Sequence, residues 1–221
     1  MGKEELKELL DDINRRFFHT ENAYFVRREL YLHFNIAVNE ETAIAYRKVI
    51  NDLKGFFMPV LESALSYYMI GINQLVNSND KKSLEKYINL LQVNGCGDYR
   101  KELAELRAGH RKTLISYADM RMGHFAHAGD IDLNNVEPIS EDGHITLFND
   151  IRALLDRINL DIFGDVIWHQ KGDARESVKD TQDLMSNLLR GEKVRVDEID
   201  VEYMRDVYES GRTKWFSEHD E

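Results

Sequence analysis

The stretch DMRMGHFAHAGD (119–130) places Arg121, His124 and His127 within seven residues. Histidine titrates near neutral pH and can take or give a proton. Arginine stays cationic and forks onto phosphate oxygens. Together they could cleave RNA without a metal: a histidine would move the proton at the ribose 2′-OH or the leaving oxygen, and the arginine would hold the charge building on the scissile phosphate. The same stretch offers two other readings. His124, His127 and Asp130 are spaced by three and could give N, N and O ligands to zinc, with His144 returning through the following loop as a fourth. Or these are ordinary polar residues at a helix end. Spacing alone does not choose. Three histidines have an arginine with four to six residues between: His33 after Arg27 and Arg28, His127 after Arg121, and His219 after Arg212. Position favours His127, because only there does the arginine extend an apolar helical stripe.

That stripe is Leu103, Leu106, His110, Leu114, Tyr117, Arg121 and His124, in steps of three or four, which is one face of a helix running over 98–125. Arg121 and His124 therefore continue a face that elsewhere packs inward or against a partner. His127 lies six residues past Arg121, about 240° round a continuous helix. The two meet only if the helix bends or ends between them, as Ala128-Gly129 would allow, or if two chains supply the groups.

The rest of the chain reads as helices. Residues 3–18 are amphipathic, with apolar positions at 6, 9, 10, 13 and 17, and 21–37 continue the pattern. NEET (39–42) resembles a helix start with Asn39 as cap, and a helical region follows to 77, bent or broken near Gly55 to Pro59. A short helix is expected over 81–93, then a break at NGCGD (94–98). The segment 128–146 reads as a polar loop with EDG as a turn, and Thr146 as cap of a helix over 147–168. Another helix is expected from 174 to 190, then an irregular GEKVRVDEID linker, then a terminal helix. Strand alternation is almost absent, and the fold class expected is all-α, with a bundle over 1–168 and a helical extension over 169–221.

Here the sequence resembles a family. Arg121-Met122-Gly123-His124-Phe125-Ala126-His127 resembles the Arg-x4–6-His motif of HEPN domains, and its Ala126-His127 ending resembles the branch named after the abortive-infection protein AbiU. Residues 55–91 resemble that branch's aromatic-rich second helix, turn and short helix, and 147–163 its last core helix. The likeness covers about residues 20–165. It implies a bundle of four to five core helices that dimerises with the motif helices facing each other. It also implies metal-independent endoribonuclease activity, often as a toxin or phage-defence component with an antitoxin. Arg121 and His127 carry over as catalytic residues. Met122 departs from the Asn, Asp or His usual after the arginine, and His124, one turn from Arg121, could replace that group. The departure also admits a second expectation, a non-catalytic HEPN-like dimer serving as an interaction module.

Composition sets the remaining bounds. The net charge of −11 argues against a protein that coats DNA. The charge is uneven: 98–127 hold six bases against four acids, and 192–221 five against ten. A transient RNA contact near Arg121 fits that distribution. The apolar stretch 56–76 carries Pro59, Glu62, Asn73 and Gln74, so it reads as a core helix rather than a membrane span. Its Tyr, Phe and Met stripe is core before it is a cofactor box, and no cofactor is expected. One cysteine, Cys96, and a Lys/Glu-rich N-terminus read as a cytoplasmic protein.

Overall fold

A computed structural model describes residues 2–33, 40–77, 82–121, 139–164 and 174–198. Every regular element among them is helical: α1 (Lys3–His33), α2 (Glu40–Asp52), α3 (Lys54–Ile72) with a π turn (Asn73–Asn77), α4 (Leu84–Val93), α5 (Arg100–Gly109), α6 (Arg111–Arg121), α7 (Glu141–Phe163) and α8 (Ala174–Glu198).

The expected amphipathic pattern of 3–18 and 21–37 is one helix. Leu6, Leu10, Ile13, Phe17, Tyr24 and Leu30 recur at helical spacing on α1 and are all buried. Thr20, in the same stripe, is also fully buried and bonds back to the Arg16 carbonyl at 2.7 Å. The small partner opposite it is Gly71 of α3: a Cβ there would stand 2.2 Å from Thr20 Oγ1. Glycine is what lets α1 and α3 approach this closely. The break expected near Gly55 to Pro59 falls slightly earlier, at Leu53, and Pro59 lies inside α3. Segment Lys54–Val76 is long and apolar enough to cross a bilayer. Its Phe57, Leu61, Tyr68, Met69, Ile72, Leu75 and Val76 pack into the bundle, as expected of a core helix.

Two cores result. The larger one joins α1 from Leu6 to Tyr24 with α3, α4, α5, α6 and α7, and Tyr87, Tyr117, Ile151 and Ile158 are fully enclosed in it. The smaller one holds Leu30, Tyr46, Ile50, Phe57, Leu61 and Met185. Met185 comes from α8, which packs on α1 and α2. The first helix of the expected C-terminal extension is thus built into the bundle.

Four boundaries differ from expectation. The helix expected over 98–125 is two helices, parted after Gly109 where His110 leaves helical geometry (φ −107°, ψ 19°). The EDG expected as a turn is the first turn of α7. Ser140 caps it, accepting from Gly143 N at 3.1 Å, and Glu141 and Asp142 complement the helix dipole. Thr146 is therefore no cap; it donates to the Asp142 carbonyl one turn back. At the other end α7 stops at Gly164, whose φ of +68° closes the helix at 163 rather than 168. Finally, α8 runs through Gly191 to Glu198, where an irregular linker was expected. Asn39 and the residues after 198 lie outside the described residues.

Candidate functional site

Leu103, Leu106, His110, Leu114 and Tyr117 are all buried, as their stripe predicts. Arg121, the next position, is exposed. It is the last residue of α6, so the packed face ends one turn before it and the guanidinium emerges into solvent. An exposed guanidinium at this position is hydrated or functional rather than packed. His124 and His127 lie outside the described residues, as does Asp130.

Beneath Arg121 the described residues form an aromatic floor. Tyr117 of α6 meets His144 of α7 with 2.6 Å between Tyr117 Oη and His144 Nδ1. Tyr24 of α1 lies against the same imidazole, ring centroids 4.6 Å apart, and Tyr68 of α3 stands perpendicular to it at 6.1 Å. Burial pushes the His144 pKa down to about 4, helped by the nearby Arg27 charge. The ring is therefore neutral at physiological pH, and it shares one hydrogen bond with the Tyr117 hydroxyl through Nδ1. Burial also raises the Tyr117 phenol well above its ordinary value. It raises Tyr24 to about 12, with the Glu141 carboxylate adding to the effect. These phenols stay protonated and act as packing surfaces, not as bases. His144, a candidate fourth metal ligand from the sequence, instead belongs to this floor, with one ring nitrogen already engaged.

Further contacts fix the frame. Asn73, in the π turn, donates to the Tyr117 carbonyl at 3.0 Å and ties α3 to α6. At the start of α6, His110 Nε2 lies 2.7 Å from the Asp150 carboxylate of α7. Arg28 of α1 pairs with Glu141 in the first turn of α7 through Nε at 2.7 Å. Tyr117 and His110 thus tie the α6 segment to α7, and Arg28 ties α1 to the first turn of α7. Arg121 stands one turn past Tyr117 at the end of α6, and the two histidines follow it in sequence.

The competing spacing at His33 is structural. Its Nδ1 sits 2.8 Å from the Glu29 carbonyl and its ring stacks edge-on with Tyr46 at 4.8 Å. His219 lies outside the described residues. Cys96 is a partly buried turn cysteine, 3.6 Å from the Asn94 carbonyl.

The sequence reading did not find the Tyr24–Tyr68–Tyr117–His144 floor. A signal existed: His144 precedes Phe148, Ile151, Leu155 and Ile158 at helical spacing, which marks it as an inward position once the helix is started at Ser140. No protein-family model, curated protein or solved structure matches the chain.

Proposed function

We propose that the chain is a metal-independent endoribonuclease of HEPN type, working in the cytoplasm as a toxin or phage-defence component. The observation that carries this reading is Arg121, exposed at the end of α6 and heading an Arg-x5-His sequence. His127 removes the proton of a ribose 2′-OH. The freed oxygen attacks the adjacent phosphorus, Arg121 holds the charge on the phosphate oxygens, and the 5′-oxygen of the next nucleotide leaves with a proton. The products are a 2′,3′-cyclic phosphate and a 5′-hydroxyl. His124 takes the ordering role that the residue after the arginine has in the family. A second copy of the chain brings its own α6 end to the first, which satisfies the geometry that a straight helix forbids. An antitoxin is the further partner of this reading.

Met122 favours a second reading, a HEPN-like dimer that binds partners without turning over RNA. RNA cleavage in EDTA separates the two. On the first reading the native chain cleaves, and Arg121→Ala and His127→Ala each lose about 10²–10⁴-fold, the usual worth of a positioned acid–base or charge-stabilising group. Robust cleavage by the double variant overturns this mechanism. No cleavage by the native chain across several RNAs moves the assignment to the interaction module.

A further inference from the structure

Between them, α1, α2 and α3 form a groove of about 570 Å³, within the usual range for small-molecule sites. Ile50, Leu61 and Leu65 form its apolar wall, and the half-exposed Tyr31 and Met58 its rim. Its charged residues are Arg27, Arg47 and Glu62, a formal +1 (two bases less one acid) in a chain of −11.

Arg27 is the unusual member. Its guanidinium lies over the Tyr31 ring, 4.5 Å from the centroid, which holds the fork in place. Its Nε is buried and has no hydrogen-bond partner among the described residues. A buried charged donor left unpaired is costly, and native proteins keep few of them. Arg28, next in sequence, is paired with Glu141. The Arg27 guanidinium, fixed over the Tyr31 ring, thus lines an apolar groove of positive charge.

We propose that this groove binds a small organic anion, a carboxylate or phosphate ester on an apolar body, with Arg27 gripping the anionic group. The two terminal nitrogens of the guanidinium present the parallel pair of donors that two anionic oxygens accept. The apolar body lies against Ile50, Leu61 and Leu65, and Asn51 adds an amide for a polar substituent. The site stands independently of the nuclease reading.

The test uses the full chain and 8-anilinonaphthalene-1-sulfonate, an aromatic sulfonate whose fluorescence reports binding. Its uncharged relative, N-phenyl-1-naphthylamine, serves as the control. Saturable one-to-one binding of the sulfonate is expected, weakened at least tenfold in Arg27→Gln, while the uncharged relative binds both proteins equally. Arg100→Gln, at an exposed arginine paired with Asp98, should change neither. If Arg27→Gln loses its helical circular dichroism, Arg27→Lys keeps the charge without the fork and should weaken the sulfonate several-fold. Displacement by octanoate assigns the natural anion as an aliphatic carboxylate, and displacement by adenosine 5′-monophosphate as a phosphate ester. The proposal is overturned by any of three results: no saturable binding, equal sulfonate affinity in the native protein and the Arg27 variant, or displacement by neither competitor.

Discussion

Replacing Gly71 with alanine tests the central contact of the bundle. In an open helix the change would stabilise by about 0.5–1 kcal/mol, because alanine loses less backbone entropy. Here the new Cβ would stand 2.2 Å from Thr20 Oγ1 and 2.9 Å from Thr20 Cγ2. Rotating Thr20 gives no relief, since both branches are in the way, the residue is fully buried, and its hydroxyl is bonded to Arg16. Overpacking of this kind costs about 1–3 kcal/mol. We expect a net loss of about 1–2 kcal/mol, and a Tm lower by about 2–8 °C for a chain of this size. Thr20→Ala alone should also destabilise, by about 1–2 kcal/mol, through a lost methyl and a lost hydrogen bond. The double variant removes both colliding atoms, so it should be no less stable than Thr20→Ala, a coupling of about 1–2 kcal/mol. Urea unfolding followed by the helical circular dichroism signal measures all four proteins. A Gly71→Ala chain as stable as the native one, or losses that simply add, would refute the close approach of α1 and α3.

Other outcomes follow from the same geometry. His144 has a folded pKa of about 4 against an ordinary 6.5. Above pH 6.5 the ring is neutral in both states, and as pH falls the unfolded chain gains a proton that the buried ring refuses. Its share, about 3 kcal/mol, should disappear between pH 6.5 and 4, seen as a falling urea midpoint whose slope flattens in His144→Phe. Ser140→Ala should cost about 1 kcal/mol by denaturant unfolding, with Ser140→Asp close to native, because an oxygen at that position accepts from Gly143 N. His33→Gln should leave RNA cleavage unchanged, since that ring is committed to its own helix; a large loss would move the reaction centre to α1. Met122→Asn should raise cleavage in the same assay if the polar group after the arginine helps order the site.

The long elements were legible because their stripes are long. Leu6 to Leu30 repeats for seven turns and Ile151 to Ile158 marks α7, so the all-α class followed from periodicity alone. Boundaries failed where one residue type serves two purposes. EDG suits a turn, but directly after a serine cap it suits the first helical turn equally. Gly191 is a common helix end, yet a single glycine inside a helix costs only about 1 kcal/mol, which tertiary packing of α8 can offset. The stripe to Arg121 was correct up to Tyr117, and it could not show that the covering elements stop there. The Arg27 groove was invisible for another reason: its walls come from three helices, and no local pattern couples Arg27 to Leu65.

α1 spans 31 residues, about 46 Å at 1.5 Å per residue, and it is a wall of both cores. The larger core grips it from Leu6 to Tyr24, while the smaller holds it near Leu30 with α2, the start of α3 and Met185 of α8. Among the described residues six buried apolar side chains secure the second region, and we expect it to open as a separate low-energy unit along a continuous rod. Native-state hydrogen exchange should divide this one helix into zones: amides near Leu30 exchanging in step with α8, and those near Leu10 and Ile13 only when the whole bundle comes apart.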